Sequence, residues 1–349
     1  MAWGLVLALG CASPPGEKVD VHPGRAAAEA AIEFPPTGPV ELRPRPSPPE
    51  GTLYQLVVSY DGRTEVMDEQ RQTIDPESVN DKFSIEIDYR QLPVAAPPEG
   101  GVASTLVLEA LKRRERLTPP GKEHVLEIGD DRLRTTLDDK VDTDLRGAQP
   151  KQDLTPRMVL EKPFALVVAD SRNDPKGVTI RGLPAARKLL ASLPLRETIS
   201  YLQIARPDRP VTAGDSWHAK RFVPNPIGKL GLALDLEVRL VGFERVGAVP
   251  CARLAMRTRS ETTDVPSEMG FHFNEVRYNV QGDAWIDLAN GEVVEAHIED
   301  VSAVSYHRTS GSRPALLRMR YEGHSSLQRL DALPEVHWAD GTKRFSAVK

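Results

Sequence analysis

The sequence is poor in the features that usually announce an activity. Only two cysteines, Cys11 and Cys251, occur in 349 residues, too few for a disulfide framework. Aromatic residues make up 5% of the chain, which gives little support to a carbohydrate-stacking platform built on Trp217 and Trp285. Fifty acidic residues balance 45 basic ones along the chain. No concentrated basic surface is therefore expected, and nucleic acid is excluded as a partner. None of the eight histidines (His22, His124, His218, His272, His297, His307, His324 and His337) pairs with another at the spacing of a zinc site. The sequence has no metalloprotease helix motif, no nucleophile elbow, no phosphate-cradling loop and no dinucleotide fingerprint. No catalytic, cofactor-binding or metal-ligating residue is nominated, and no cofactor is expected. The stretch Asp138 to Asp144 alternates carboxylates as a calcium loop does. It lacks the turn glycine and the distal bidentate glutamate, so it reads as a solvated turn.

What the N-terminus does contain is an apolar run, Met1 to Gly10, ending at Cys11. The run is too short to span a bilayer, which takes about 20 apolar residues. Ala8-Leu9-Gly10-Cys11 resembles the bacterial lipobox, although that motif more often has Leu where Ala8 stands and a small residue at Leu9. The basic residues that usually precede the apolar run are missing, so the true start is expected upstream of Met1. On this reading residues 1–11 are a lipoprotein-type leader, Cys11 carries the lipid, and the membrane is a partner through that lipid. Ten of the 39 residues from Ala12 to Glu50 are proline. Proline removes backbone donors and favours extended geometry, so residues 12–50 are expected to form a semi-rigid tether.

After Gly51 the pattern changes to period two, the spacing of half-buried strands. Leu53–Tyr60, Lys82–Tyr89, His124–Ile128 and Pro163–Asp170 fit it. Thr105–Arg116 alternates at Leu106, Leu108 and Ala110 but has the composition of a helix, and its strand neighbours favour strand. Further on, Leu232, Leu234, Leu236, Val238 and Leu240 share one face, with Asp235, Glu237 and Arg239 opposite. Ala252, Leu254 and Met256 follow, then Val276 to Leu288 and Val294 to Ile298. Cys251, at the head of one such strand, reads as a half-buried core thiol. Pairing apolar with apolar across Asn290-Gly291 sets Ile286 opposite Val294, Ala284 opposite Ala296 and Leu288 opposite Glu292. That register demands a left-handed Gly291 and places Asp283 beside His297 as an exposed ion pair. Trp285 falls on the wet face, where core packing does not explain it. One short helical segment is expected near 184–205, started by Pro184 and stopped by Pro194. The fold class is mainly β: a large antiparallel meander forming a sandwich or a partly open barrel. A soft boundary near Pro207 separates residues 51–206 from 207–349, though the two halves can be one continuous domain.

The elements from Lys162 onward are Pro163–Val168, Gly177–Gly182 and the helical segment after it, Pro210–Trp217, and the hairpin Gly282–Leu288 closing at Gly291. Their order resembles an uncharacterised family of secreted, β-rich bacterial lipoproteins. The resemblance covers roughly the C-terminal half and implies location and fold, with no catalytic residue attached. The expected protein is a non-enzymatic, lipid-anchored scaffold or binding protein of the cell envelope, facing the periplasm from the outer membrane. Its protein partner is unspecified. The alternatives are a carrier or sensor of an apolar ligand, and a hydrolase built from scattered residues. The sheet's apolar face decides between the first two, because burial is worth about 25 cal/mol per Å² and something must cover it.

Overall fold

The computed structural model describes residues 34–45, 47–68, 79–95, 102–118, 121–129, 132–146, 163–169, 175–180, 204–224, 231–266, 272–308 and 315–333, with residues 70, 72 and 73. Fourteen strands account for most of them. They are β1 (Thr52–Met67), β2 (Val79–Val94), β3 (Val102–Thr118), β4 (Lys122–Gly129), β5 (Arg132–Leu137), β6 (Lys140–Arg146) and β7 (Pro163–Ala169). β8 (Pro175–Ile180), β9 (Ser216–Pro224), β10 (Gly231–Val246), β11 (Val249–Pro266), β12 (His272–Asp287), β13 (Val293–Arg308) and β14 (Ala315–Leu330) complete the set. The protein is mainly β, as its period-two alternation predicts. The expected helix near 184–205 lies almost wholly outside the described residues, and Ile204 and Ala205, which are described, are not helical.

All fourteen strands belong to one antiparallel sheet ordered β6-β5-β4-β3-β2-β1-β14-β13-β12-β11-β10-β9, with the β7–β8 hairpin branching from β3. β1 and β14 pair from Leu53–Leu330 to Met67–Leu316. The first and last strands thus knit the two sequence halves into one sheet, and residues 33–349 form one compact unit. No boundary falls at Pro207. Of the two expected architectures the sandwich is set aside: one sheet curls on itself, and among the described residues its edges β6 and β9 do not pair.

Register explains the curl. One row of side chains crosses ten strands: Leu133, Ile128, Leu111, Ile87, Leu56, Leu327, Ala296, Ala284, Leu254 and Leu240. Every one of them is at most 5% exposed. A flat sheet would leave this face wet, so it bends until inner side chains meet. Val167 on β7 and Val293 at the head of β13 are five strand steps apart, about 24 Å on a flat sheet at the usual strand spacing. They line the same cavity of about 70 Å³.

Two extended segments fill the remaining space at this end. Val40 and Val211 exchange backbone hydrogen bonds of 2.8 and 2.9 Å, and Leu42, Ile204 and Val211 join the core. The segment expected to be free tether is therefore docked from about Val40. Leu42 is 2% exposed, the Arg45 amide donates to the Asn290 carbonyl at 3.1 Å, and Ser47 is buried. Proline is compatible with this packing because a non-sheet segment has few ladder bonds to lose. Residues 12–33 lie outside the described set.

The β12–β13 hairpin is close to expectation with one correction. Gly291 is left-handed (φ 72°), and Ala284–Ala296 and Asp283–His297 are register pairs. Ile286 faces Val293, however, and Asp287 rather than Leu288 closes on Glu292, because a bulge after Trp285 inserts Val294 as an extra residue. The bulge lets Val293 and Val294 both be buried. Gly291 is also a place of close approach: a Cβ there would stand 2.1 Å from the Arg43 carbonyl oxygen.

Beside the hairpin sits a buried ionic node. Arg329 Nη1 donates to Asp287 Oδ2 at 2.8 Å and lies 3.7 Å from Glu292 Oε2, while Thr52 Oγ1 donates to Glu292 Oε1 at 2.8 Å. The Arg329, Asp287 and Glu292 side chains are 12%, 5% and 6% exposed. One guanidinium between two carboxylates is net acidic, and removing it would leave buried charge without its partner. Arg329→Met is expected to destabilise the protein by about 3–5 kcal/mol in chemical denaturation. A loss within about 0.5 kcal/mol, the usual range for a surface site, would show the node to be dispensable.

Candidate functional site

The residues singled out in the sequence are scattered. Cys11 lies outside the described residues. Cys251 is fully buried, and burial pushes its thiol up to about 11, so it stays protonated as a core group. Asp138 and Asp139 form the left-handed two-residue turn between β5 and β6, and Asp144 accepts two 2.7 Å hydrogen bonds from Arg132. Asp283 and His297 face each other in register but choose other partners. His297 Nε2 lies 2.6 Å from Glu295, and Asp283 accepts from Arg253 Nε at 3.0 Å. The expected ion pair between them is thus replaced. Trp285 is explained by the same outer-face cluster: Arg253 lies over its ring, His297 meets it edge-on, and its indole N–H donates to Glu244. Trp217 is half-buried against the core and donates to the Ala205 carbonyl at 3.0 Å. No group of three or more potential metal ligands occurs among the described residues.

The structure instead brings together residues that had no distinguishing mark in the sequence. Above the apolar row the inner face turns polar. The next register rows include Arg113, Glu115, Phe83, Tyr60, Gly323 and Asp300, then Asp81, Gly62, Tyr321, Ser302 and Tyr278. All six described tyrosines lie on the inner face: Tyr54, Tyr60, Tyr89, Tyr278, Tyr306 and Tyr321. The band is sealed at β12 and β13, where Tyr278, Asp300 and Ser302 are buried. It opens toward β4–β6 as a groove of about 350 Å³ lined by Arg113, Glu115, His124, Leu126, Thr135 and Asp142.

Its floor is made by one short motif used twice. Tyr60-Asp61-Gly62 on β1 and Tyr321-Glu322-Gly323 on β14 run antiparallel, so Tyr60 pairs with Gly323 and Gly62 with Tyr321. A Cβ at Gly62 would stand 2.5 Å from the Tyr321 ring, and one at Gly323 would stand 2.7 Å from the Tyr60 ring. Each ring occupies the space that its partner glycine leaves free, an arrangement that stabilises glycine within a strand. Phe83 extends the aromatic floor, 6.3 Å from Tyr60 between ring centroids, and the Arg113 guanidinium covers it at 5.5 Å. The repeated Tyr-acid-Gly triplet was the available sequence signal. It becomes meaningful only once β1 and β14 are known to be neighbours.

The electrostatics of the band follow from burial. Asp300 sits over Gly323 and accepts from the Tyr278 hydroxyl at 3.4 Å. Burial raises its carboxyl from 3.8 to about 6. Asp81 is raised by burial and by the nearby Glu115, against the opposing pull of Arg113. Among the described residues Asp81 Oδ1 and Arg113 Nε are enclosed without a hydrogen-bond partner. The band thus combines aromatic faces with a buried acceptor and a buried donor, and among the described residues no nucleophile is poised against a base there.

Comparison with family models and with curated proteins returns no match. Among solved structures, the β domain of the Bordetella autotransporter BrkA aligns over 78% of this chain and 98% of that one, at 9% identity and a TM-score of 0.18. A botulinum neurotoxin type C structure aligns over 80% and 83%, at 6% identity and a TM-score of 0.11. At these scores neither alignment carries a structural or functional argument.

Asp300 gives the band a measurable pH signature. Its folded pKa lies above its unfolded value, so the folded state holds the proton more tightly. Stability is lost as pH rises from about 4 through about 6. Asp300→Asn removes that cost. Relative to wild type, the variant is expected to gain on the order of 1–3 kcal/mol between pH 5 and pH 8. An equal stability difference at both pH values would show that Asp300 is not buried as an acid.

Proposed function

We propose that this chain is a lipid-anchored binding or scaffold protein of the bacterial cell envelope, held to the outer membrane on its periplasmic side through Cys11, and that its β body is non-enzymatic. The single observation that carries this reading is the division of labour between the two faces of the sheet. The outer face is charged along the length of the strands: Arg253, Arg257, Glu237, Asp283, Glu295, Glu299, Arg320 and Glu322 all form ion pairs or hydrogen bonds there. A strand that crosses a bilayer instead carries an outward apolar band about 25 Å tall. A body with this exterior is suited to water, and its attachment to a membrane falls to the N-terminal lipid. The inner face is left to make contacts, through the open polar groove. The resemblance to secreted β-rich lipoproteins supports the same assignment.

The carrier reading receives less support. Ligand pockets for apolar molecules run to about 300–1,000 Å³. The cavity at the apolar end has about 70 Å³, and Arg206, Glu292, Tyr54 and Tyr89 contribute polar groups to its wall. The apolar rows there are covered by Leu42, Ile204 and Val211 from the chain itself.

The anchoring half of the proposal is tested by fractionation. Cys11→Ser is expected to release the protein from membranes, and the wild-type N-terminus is expected to carry a lipid adduct by mass spectrometry. Unchanged sedimentation of the variant, with no adduct on the wild type, would overturn it.

A further inference from the structure

We propose that a groove on the outer face of β1–β4 and β14 binds a zwitterionic group of the phosphoethanolamine type, a phosphoryl joined through two carbons to a primary ammonium. The site is separate from the inner-face band and adds to the binding-protein reading without depending on it.

The groove has a volume of about 490 Å³, within the range of small-molecule sites. Two register rows build it. In one, Arg116, Lys82, Asp61 and Glu322 follow one another across β3, β2, β1 and β14. In the next, Arg114, Ser84, Ser59 and His324 cross the same strands. All of them line the groove, with the short half-buried serines at its floor and the long charged side chains at its walls. Lys82 and Asp61 are 68% and 60% exposed, so the site is open to solvent.

The β2–β3 side calls for an anion. Lys82 and Arg116 stand directly opposite each other, an apposition of like charges that is unfavourable until an anion joins them. Arg116 faces Glu123 across β3 and β4, but Glu123 lies 3.5 Å from Arg114 instead. Among the described residues the Arg116 guanidinium forms no ion pair or side-chain hydrogen bond. The hydroxyls of Ser59 and Ser84 add donors beside these cations. The oxygens of a tetrahedral phosphoryl group diverge, so one group can meet the Arg116 fork, the Lys82 ammonium and a serine hydroxyl together.

The β1–β14 side calls for a cation bonded to that anion. Asp61 and Glu322 are also opposite and of like sign, and Glu322 already accepts from Arg320 at 2.8 Å, which leaves Asp61 as the principal acceptor. The sign of the wall therefore changes between β2 and β1, over one strand spacing of about 4.8 Å. The Lys82–Asp61 ion pair at 2.9 Å bridges the change. An anion alone would take Lys82 and leave Asp61 without its partner, and a cation alone would do the reverse. A phosphoryl and an ammonium held two carbons apart replace both partners at once, and an ion pair so exposed contributes little that must be given up. A polyanion would meet Asp61, Glu123 and Glu322, and a polycation would meet Lys82, Arg114 and Arg116.

The free compound and a lipid headgroup share this chemistry, and the test separates them. Full-length Cys11→Ser, which carries no lipid whether or not the wild type does, is titrated by calorimetry with O-phosphoethanolamine, inorganic phosphate and ethanolamine. It is also sedimented with phosphatidylcholine vesicles, with and without phosphatidylethanolamine. O-Phosphoethanolamine is expected to bind more tightly than phosphate or ethanolamine by at least about tenfold, and Arg116→Gln and Asp61→Asn should each weaken it by about tenfold. Both substitutions are at exposed strand positions, and either one carries the test if the other does not fold. Arg257→Gln, at an exposed arginine on β11, should leave binding unchanged. Sedimentation that requires phosphatidylethanolamine and Arg116 assigns the site to the lipid headgroup, and binding of the free compound alone assigns it to a soluble ligand. Binding of neither form at millimolar concentration overturns the proposal. So does phosphate binding as tightly as O-phosphoethanolamine, or binding that the folded variants leave unaffected. Self-association that is lost in Arg116→Gln and Asp61→Asn, without ligand binding, overturns it as well and gives the groove to a second copy of the chain.

Discussion

Burial of the apolar row from Leu133 to Leu240 is the constraint on which the other features depend, because it runs through ten strands of a single sheet. At about 25 cal/mol per Å² such a row is far too costly to leave in water. A sandwich would hide it against a second sheet. Here the sheet bends around it, and two extended segments close the space inside, joined to each other at Val40 and Val211. The bend brings the β12–β13 hairpin, the residue 40–47 segment and Arg206 to one place. Buried charge follows: Arg206 donates to the Gly291 carbonyl at 2.9 Å, and Arg329 answers Asp287 and Glu292.

The same strands are too long for one apolar belt. A sixteen-residue strand spans about 50 Å at the usual rise. Past the sealed rows the inner side chains turn to tyrosine, serine and carboxylate, and then to a small apolar cluster of Val66, Ala315, Leu317 and Tyr306. Glycines at 62 and 323 let large rings sit in the polar band without forcing β1 and β14 apart. Ring placement, acceptor placement and the opening toward β4–β6 all come from continuing one register beyond the length that the core needs.

Much of the fold was legible because alternation is a local property. β10, β11, β12 and β13 could be read residue by residue, and the left-handed Gly291 followed from matching apolar faces. The failures have physical causes. β3 is not among them: its composition is that of a helix, yet the strand expected from its neighbours is what forms, with a bulge that leaves Glu109 out of the pairing. The hairpin register missed Val294 because a bulge cannot be counted from composition. The proline-rich segment suggested a free tether, yet Val40 and Leu42 supply the two apolar contacts that dock it. The candidate site was illegible for a different reason. Its two Tyr-x-Gly triplets stand about 260 residues apart, and only the pairing of the first strand with the last makes them one floor.

One face of a single curled sheet passes from a sealed apolar end to a polar band that is open away from β12 and β13, and the tyrosines report which parts are sealed. Hydroxyl-radical footprinting of the native chain, read at individual tyrosines by mass spectrometry, measures this directly. Tyr54, Tyr89 and Tyr278, exposed by 4%, 6% and 7%, are expected to be protected, while Tyr60 and Tyr321 are labelled. Labelling of Tyr54 and Tyr89 as fast as that of Tyr60 would mean the apolar end is not sealed and would contradict the account.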